Sequence, residues 1–313
     1  YTPVSGIWQT VWLEPVSSKY ISNVVSVADI DNKNLKVKVG TQNTTSSDVV
    51  QIVLKEQNTI VAMTKGVVGE TLELALADVK LWSPESPFLY DLEVTLLDKG
   101  KKTDKVKSYA AMRKISMHKD KDGIMRMQLN NKDCFQFGPL DQGWWPDGLY
   151  TAPTDEALAY DIEKTKDWGF NMIRKHIKVE PARWYTHCDR LGILVWQDMP
   201  SGDNSPKWIQ YNYFDGKENE RSIESEENFK KEWREIMDYL MPYPSIVVWV
   251  PFNEAWGQFK TKEIAEWTEY YDPSRLVNAA SGGNHYYKVG DILDIHRYPR
   301  PELMMYEPTQ VNV

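Results

Sequence analysis

Residues 244–257 read PSIVVWVPFNEAWG, in which five consecutive apolar residues at 246–250 precede a short polar segment. An uninterrupted run of β-branched and aromatic residues predicts a strand that is buried on both faces. Such strands are typical of parallel sheets, because other elements cover both faces of the sheet. The polar segment is then expected at the carboxyl end of this strand.

The same pattern recurs on both sides of this stretch and alternates with helix signals. Thr154 can cap a helix that stops at Gly169, and Pro181 suits the first turn of a second helix that ends at Gly192. Apolar residues at helical spacing predict two more helices, over 223–240 and near 260–270. The predicted strands are 134–138, 170–173, 193–197, 246–250, 276–280 and 292–295.

Strands that alternate with helices or loops predict a parallel β/α fold. A doubly wound sheet usually carries a glycine-rich phosphate turn after its first strand, and GPLDQGWWPDG at 138–148 lacks that pattern. The same lack makes a nucleotide-dependent enzyme the weakest functional alternative. We therefore predict a (β/α)8 TIM barrel over residues 113–313 that is truncated after about six strands, with VNV at 311–313 beginning a seventh.

The region before the barrel has a different pattern. Residues 19–112 carry short alternating runs such as LKVKV at 35–39 and LEVTL at 92–96, separated by polar turns. This spacing predicts an immunoglobulin-like β-sandwich. Residues 1–18 are interpreted as one or two strands left from a preceding domain, and residues 120–133 as a hairpin that leads into the barrel.

Composition excludes several classes of protein. The net charge is -8 without a basic stripe, which argues against nucleic acid as the partner, and no window of eighteen apolar residues predicts a membrane span. Cys134 and Cys188 lack the spacing of a metal or redox motif, and the sequence does not decide whether they form a disulfide. The chain begins without Met or a leader pattern, which we interpret as an internal cut of a longer protein. The sequence does not decide the cellular compartment, for which the periplasm and the extracellular space are candidates. It does not decide the oligomeric state either.

Active sites of (β/α)8 barrels gather at the carboxyl ends of the strands. Glu254 follows an apolar strand and is edged by Trp256, so we expect its side chain to leave water for a partly apolar cleft. Removal from water favours the neutral form of a carboxyl group, which is the form that a general acid needs. The residues at the predicted strand ends are Asp141, Arg174, His176, Asp198, Asn253, Glu254, Ser281, His296 and Tyr298.

The stretch PSIVVWVPFNEAWG resembles the acid/base segment of glycoside hydrolase family 2, which includes β-galactosidases, β-glucuronidases and β-mannosidases. RKHIKVEPARWYTHCDRLGILVWQD at 174–198 is similar to the family's second and third barrel strands with the helix between them. LWSPESPFLYDLEVTL at 81–96 resembles the end of its immunoglobulin-like domain, and SGIWQTVWLEP at 5–15 the end of its N-terminal sugar-binding domain. The resemblance covers nearly the whole chain.

This resemblance implies a retaining hydrolase of β-glycosides, similar to a β-galactosidase. Glu254 would protonate the departing glycosidic oxygen and later deprotonate water, and Asn253 would bind the sugar 2-hydroxyl. Tyr298 would lie beside the nucleophile, and His296 would either line the same cleft or orient other groups. A glycoside is the expected partner, the chemistry needs no cofactor and no metal ligand is predicted, and the question of a structural cation stays open.

The chain departs from the family pattern at two positions. Arg174 matches, but His176 stands where the family has Ser, and Asp198 follows Gln197 where the family often has Asp-Glu. His176 and Asp198 are kept as candidate substrate contacts, together with Trp256 and Asp141. The sequence does not identify the sugar, because the cations that could meet a glucuronate carboxylate are equally explained as surface charges: Arg174, Lys175, Lys178 and Arg297.

The resemblance places the nucleophile on strand seven, beyond Val313, so we expect residues 1–313 alone to be inactive or nearly so. Glu302 and Glu307 lie in a proline-containing stretch and are not expected to replace it. Two alternatives stay open. One is a non-catalytic fragment that binds carbohydrate or acts as a scaffold, and the other is an inverting glycosidase that pairs Glu254 with Asp198 or Asp141.

Overall fold

The structure is a computed structural model, and it describes residues 2–203, 207–209, 218–300, 302 and 308–313. The chain divides into two compact units. The first unit in the sequence comprises Gln9–Lys114 with Met241–Pro244, and the second comprises Tyr1–Trp8, Ile115–Leu240 and Ser245–Val313. Residues 2–18 contain no strand, so the predicted strands in this segment are wrong.

The first unit is made of antiparallel strands. One sheet has the order β1-β2-β5, a second has the order β4-β3-β8-β9, and β6 pairs with β7 in a short hairpin. The strands are β1 (Tyr20–Asp29), β2 (Asn34–Gln42), β3 (Val49–Glu56), β4 (Thr59–Val67), β5 (Thr71–Ala75), β6 (Trp82–Ser83), β7 (Ser86–Pro87), β8 (Tyr90–Asp98) and β9 (Lys101–Ala110).

Alternating side chains of these sheets form one core. Val37 of β2, Ile52 of β3 and Val94 of β8 are fully buried, and they belong to a single apolar cluster that draws on both larger sheets. Period-two alternation of buried and exposed residues is expected when each sheet packs one face against the other. The predicted immunoglobulin-like sandwich is confirmed.

The second unit begins with a small antiparallel sheet and continues as a β/α series. The small sheet contains β10 (Ile115–Lys119), β11 (Met125–Leu129) and β12 (Lys132–Asp133). The remaining elements are β13 (Leu140–Asp141), α1 (Asp155–Asp167), β14 (Met172–Lys175), α2 (Ala182–Leu191), β15 (Leu194–Asp198), α3 (Ile223–Leu240), β16 (Ile246–Val250), α4 (Thr261–Tyr271), β17 (Leu276–Ser281), β18 (Ile292–Asp294) and β19 (Val311–Asn312).

Strands β13 to β19 form one parallel sheet whose spatial order is the order of the chain. A doubly wound sheet would reverse its order at a switch point, whereas a (β/α)8 barrel adds each strand beside the previous one. The sheet therefore matches a barrel that is truncated, and it contains seven strands where the sequence predicted six and the start of a seventh. All carboxyl ends lie at the same edge of this sheet.

The first barrel strand lies later than predicted. Residues 134–138 are not a strand, and pairing with β14 begins at Leu140. The Asn171 side chain takes the place of a strand partner there, because its Oδ1 accepts a hydrogen bond from the Phe137 backbone N–H at 2.8 Å. Pro139 has no N–H to donate, so a regular ladder starts only after it.

The helices follow their sequence signals. Thr154 Oγ1 accepts a hydrogen bond from the Ala157 N–H at 3.1 Å and caps α1, and Gly192 ends α2 with a φ of 76°. Cys134 and Cys188 do not form a disulfide with each other. Among the described residues, no helix is long and apolar enough to cross a membrane, and no cluster of His, Cys, Asp or Glu has the arrangement of a metal site.

Helix α3 covers the strand that precedes the polar segment. Trp233 of α3 meets Trp249 of β16 edge to face, with ring centroids 5.6 Å apart, and Phe229 stacks on Phe252 at 5.2 Å. Trp233, Trp249 and Phe252 are fully buried. This aromatic packing fixes β16 and its extension through Phe252, and therefore the point at which residues 253 and 254 leave the sheet.

Glu269 on α4 gives the second unit a testable pH dependence. Burial and the negative charge of Asp291 raise the pKa of Glu269 to about 7. The folded state therefore keeps this proton between about pH 4.3 and pH 7, where the unfolded chain has lost it, so stability falls as pH rises through that window. We expect Glu269→Gln to raise the urea midpoint relative to wild type by more at pH 8 than at pH 5.

The control is Glu227→Gln on the exposed face of α3. This substitution should change the free energy of unfolding by less than about 0.5 kcal/mol at both pH values. An effect of Glu269→Gln that is the same at pH 5 and pH 8 would contradict the assignment.

Candidate active site

The chain turns sharply after β16 and is held there by β17. Ser281 donates its N–H to the Phe252 carbonyl and accepts the Glu254 N–H with its own carbonyl, both at 2.9 Å. Glu254 and Ala255 then adopt left-handed φ values of 50° and 64°. Two consecutive non-glycine residues in this region are strained, and such strain is common where a side chain must be aimed. The turn directs the Glu254 side chain away from the end of β16.

Arg174 joins the ends of three neighbouring strands. Its Nε donates to Asp198 Oδ1 at 3.0 Å, and its Nη2 donates to Asp198 Oδ2 at 2.7 Å and to Asn253 Oδ1 at 2.8 Å. Burial is the largest single influence on the pKa of Arg174 and acts to lower it, but the charge and hydrogen bonds of Asp198, together with the charges of further carboxylates nearby, outweigh burial and raise the pKa. Three predicted site residues are therefore one buried, hydrogen-bonded group, and the carboxylate is engaged on both oxygens.

His176 lies beside this group. Its Nδ1 is 3.4 Å from Asp198 Oδ2, and the Ile177 N–H donates to the same oxygen at 3.2 Å. Ile177 has a φ of 42°, which is a genuine outlier for a β-branched residue. The strained backbone gives Asp198 a further hydrogen bond and leaves the Ile177 side chain partly exposed at the end of β14.

Glu254 contacts His296, which follows β18. Glu254 Oε1 lies 2.8 Å from His296 Nδ1, and His296 Nε2 lies 3.0 Å from Ser281 Oγ. Ser281 in turn donates its hydroxyl to Asp294 Oδ2 at 2.5 Å, and Asn278 Nδ2 donates to the same oxygen at 2.7 Å. The structure thus brings Glu254 and His296 together and adds Ser281, Asp294 and Asn278 behind them.

The surroundings of Glu254 are more open than the sequence predicted. The Glu254 side chain is 38% exposed. The prediction that Glu254 leaves water is therefore wrong in the part of the chain that the structure describes. The reason is local: the left-handed turn lifts the carboxylate off the buried strand, and His296 covers it from one side only. Trp256 is 45% exposed, and its backbone forms an isolated antiparallel β-bridge with Trp208. Tyr298 is 83% exposed.

Asp141 belongs to a different cluster. Lys175 Nζ donates to Asp141 Oδ2 at 2.6 Å and to Glu180 Oε1 at 2.9 Å, and Lys178 Nζ lies 3.0 Å from the same Glu180 oxygen. Burial is the largest single influence on the pKa of Asp141 and acts to raise it, but the charges of Lys175 and Lys178 and the hydrogen bonds to Asp141 together outweigh burial, so the pKa is lowered. Both lysines are about 1% exposed. The interpretation of these two lysines as surface charges is therefore wrong.

Two of the residues behind Glu254 were missed by the sequence reasoning. Asp294 is the last residue of β18, so the strand-end rule could have found it. Asn278 lies inside β17, where a buried amide looks like any other strand residue. Buried polar side chains are almost always hydrogen-bonded, so an Asn within an apolar strand is a usable signal for a partner nearby.

Taken together, the site offers one partly exposed carboxyl group with a fixed neighbour and one buried amide. A carboxyl group in this position can give and take protons at its outer oxygen. Asn253 Oδ1 is occupied by Arg174, which leaves the amide N–H groups as donors. Acid–base chemistry on a hydroxylated ligand is what this set supports.

Gly282 provides a test of the geometry around His296. It has a φ of 64°, and a Cβ at this position would lie 2.7 Å from His296 Nδ1, the atom that contacts Glu254. We expect Gly282→Ala to displace the imidazole and to reduce stability by more than the roughly 1–2 kcal/mol cost of a left-handed alanine. Thermal unfolding and the side-chain NMR signals of His296 measure the two effects.

Gly123→Ala is the matched control, because Gly123 has a φ of 80° and no atom within 4 Å of a new Cβ. Equal stability losses in the two variants, with His296 signals unchanged in both, would show that Gly282 does not make room for the imidazole.

Comparison with known proteins identifies the family of the chain. The family model described as "Glycosyl hydrolases family 2" matches residues 13–113. The model described as "Glycosyl hydrolases family 2, TIM barrel domain" matches residues 150–307, more than half of the chain.

Curated relatives are longer than this chain. A β-galactosidase of Lactococcus lactis is 24% identical over 311 residues, covering 93% of this chain and 28% of the relative. A β-galactosidase of Vibrio vulnificus is 24% identical over 278 residues, covering 85% of this chain and 24% of the relative. The chain thus spans less than a third of the length of these two proteins.

Solved structures share the fold. A β-D-glucuronidase of Dictyoglomus thermophilum superposes with a TM-score of 0.73 at 19% identity, covering 88% of this chain and 47% of that one. β-Glucuronidase 3 of Bacteroides uniformis gives a TM-score of 0.70 at 16% identity, with 88% and 34% covered. On the matches of both family models, this chain belongs to glycoside hydrolase family 2.

Proposed function

We propose that this protein is a retaining hydrolase of β-glycosides, similar to a β-galactosidase, and that Glu254 is its general acid and base. The observation that carries the proposal is the position of Glu254 after the fourth parallel strand. One carboxylate oxygen is held by His296 at 2.8 Å, and the side chain stays partly open to solvent. Family membership and the names of the curated relatives support a glycosidase.

Glu254 would act twice in each turnover. In the first step its proton passes to the glycosidic oxygen while the C–O bond to the leaving group breaks, and a nucleophilic carboxylate forms a bond to the anomeric carbon. In the second step the ionised Glu254 removes a proton from water, whose oxygen displaces that carboxylate. The nucleophile is the second carboxyl group that this mechanism requires. Its assignment beyond Val313 remains a prediction.

Asn253 would recognise the sugar with its amide N–H. Because Arg174 donates to Asn253 Oδ1, the opposite side of the amide presents hydrogens rather than a carbonyl. A donor in this position suits a hydroxyl oxygen of the sugar ring, as the family resemblance implies for the 2-hydroxyl. Arg174 and Asp198 would therefore act through Asn253, and we propose no direct substrate contact for either of them.

The charges of the site bear on the choice of sugar. Of the four cations considered from the sequence, Arg174 is engaged by Asp198, Lys175 by Asp141 and Glu180, and Lys178 by Glu180. A uronate carboxylate would therefore need Arg297, the fourth of these cations, or a cation outside this set.

An inverting mechanism is less well supported. It would need a second carboxylate free to activate water, about 6.5–9.5 Å from Glu254. Both candidates from the sequence are held in ion pairs, Asp198 with Arg174 and Asp141 with Lys175. Because their oxygens already accept hydrogen bonds from these cations, neither carboxylate is free to activate water. Glu302 is exposed, and Glu307 lies outside the described residues.

The proposal is tested with the full-length gene product and a panel of aryl β-glycosides. We expect Glu254→Gln to lower kcat/KM by roughly 10²- to 10⁴-fold for substrates with poor leaving groups, the range for loss of a general acid, and by less for good leaving groups. Glu227→Gln, on the exposed face of α3, is the matched control and should behave as wild type.

The alternative is a carbohydrate-binding or scaffolding protein without catalysis. Wild-type protein that binds glycosides in calorimetry, yet hydrolyses none of the panel, would favour this alternative over the proposed hydrolase. Equal activity of Glu254→Gln and wild type toward poor leaving groups would exclude Glu254 as the acid.

A further inference from the structure

The backbone around Glu254 is left-handed at several positions. We call residues 253–260 the acid turn, and its left-handed φ values are 50° at Glu254, 64° at Ala255, 65° at Gly257 and 42° at Lys260. Three of these four residues are not glycine. Non-glycine residues keep such values only where the surrounding structure over-determines them. The conformation of the acid turn therefore depends on the contacts that other segments make with it.

The segment that precedes α3 supplies donors to the carbonyl groups of the acid turn. The Asn219 N–H donates to Gln258 O at 2.7 Å. The Asn219 side-chain amide donates to the carbonyl oxygens of Ala255 and Gln258, both at 3.3 Å. Carbonyl groups in an irregular turn lack the partners that a helix or a strand would provide, so their donors must come from elsewhere.

Arg221 belongs to the same segment and bonds the carbonyl between these two. Its Nε donates to Gly257 O at 3.1 Å, and its Nη2 donates to the same oxygen at 2.6 Å. Its Nη1 donates to Gly202 O at 2.7 Å. A guanidinium has donors only, so the direction of these hydrogen bonds is unambiguous. Gly202 follows β15 and Gly257 follows β16, so one side chain joins the segments after two neighbouring strands.

Two aromatic rings fix the orientation of the guanidinium. Its central carbon lies 4.4 Å from the ring centre of Phe259 and 5.2 Å from that of Phe229. Both rings also pack on Phe252, which directly precedes Asn253. Arginine combines this stacking with a planar set of donors, whereas lysine offers a compact charge without a fixed plane. The aromatic contacts therefore direct the fork of Arg221 at its two carbonyl partners.

The segment after β17 also holds the acid turn, at Gln258. The Gln258 amide donates to Asn284 O at 2.8 Å and accepts the Asn284 N–H at 3.2 Å. These two contacts do not involve the Gly257 carbonyl. Among the described residues, both donors to that carbonyl are nitrogens of Arg221. Removing the guanidinium would leave this carbonyl without its donors and allow the left-handed turn to relax.

We propose that Arg221 is a positioning residue for the acid. By bonding the Gly257 and Gly202 carbonyls, it keeps the acid turn in the left-handed conformation that aims Glu254 at the glycosidic oxygen. Arg221 acts through the backbone of the turn. The inference rests on the proposed function of Glu254, and it adds a residue outside the strand ends to the determinants of the site.

Leaving-group dependence in the full-length gene product tests the role of Arg221. We expect Arg221→Ala to lower kcat/KM roughly ten- to a hundredfold for aryl β-glycosides with poor leaving groups, because a misplacement of about 1 Å can cost about a hundredfold. Good leaving groups need little protonation, so their loss should be much smaller. Arg221→Lys, which keeps the charge and loses the planar fork, should fall between Arg221→Ala and wild type. Arg234→Ala, exposed on α3, is the matched control and should behave as wild type.

A double variant separates positioning from a general loss of structure. In the Glu254→Gln background, Arg221→Ala should cause little further loss of kcat/KM for poor leaving groups, because the acid that it positions is already absent. A residue that only supports the fold would instead lower kcat/KM by the same factor in both backgrounds and for every leaving group. If Arg221→Ala does not fold, Arg221→Lys is compared in the same two backgrounds.

The outcomes also distinguish this inference from the proposed function. If Glu254→Gln retains wild-type activity toward poor leaving groups, the proposed function fails, and the inference fails with it. If Glu254→Gln loses activity while the Arg221 variants match wild type, or lose activity equally for all leaving groups, only the inference is overturned.

Discussion

The site depends on one buried ion pair, between Arg174 and Asp198. Asp198 is about 1% exposed, so its charge is tolerable only because the guanidinium engages both of its oxygens. Removing one partner of such a pair typically costs about 3–5 kcal/mol, since the other charge stays buried without compensation. The pair spans β14 and β15, and its third hydrogen bond reaches Asn253 after β16. Three strand ends are thereby held in one arrangement.

A second set of hydrogen bonds meets the first at Glu254. Arg174 fixes the Asn253 side chain, whereas Ser281 fixes the backbone on both sides of Asn253 and contacts His296. The acid is thus positioned through its main chain and through one of its oxygens by neighbouring strands of the same sheet. Sites built on strands in this way keep their geometry better than sites built on loops alone.

The sequence predicted the parallel strands well because each is a short apolar run that ends in polar residues. Residues 246–250 are the clearest case, since all five are buried in the structure. The strand predicted over Cys134–Gly138 was wrong. The sequence pattern did not show that Pro139 delays regular pairing or that the Asn171 side chain substitutes for a strand partner. Side-chain substitutions of this kind depend on three-dimensional contacts.

The site was predicted in part for the same reason. Strand ends identified Arg174, Asp198, Asn253 and His296, which the structure joins through hydrogen bonds into two groups. They did not show that Asp141 faces Lys175 instead, because the direction of a side chain at a strand end depends on register. Nor did they show that a left-handed turn leaves Glu254 partly exposed. Backbone conformation after a strand is poorly encoded in side-chain type.

In the proposed retaining reaction Glu254 both donates and accepts the proton. Azide rescue of Glu254→Ala in the full-length gene product is the decisive measurement, because the small anion enters the space of the missing carboxylate and needs no base. We expect azide to restore turnover of an activated aryl β-glycoside and the product to be the β-glycosyl azide. Absence of rescue, or formation of the α-glycosyl azide, would show that Glu254 does not have this role.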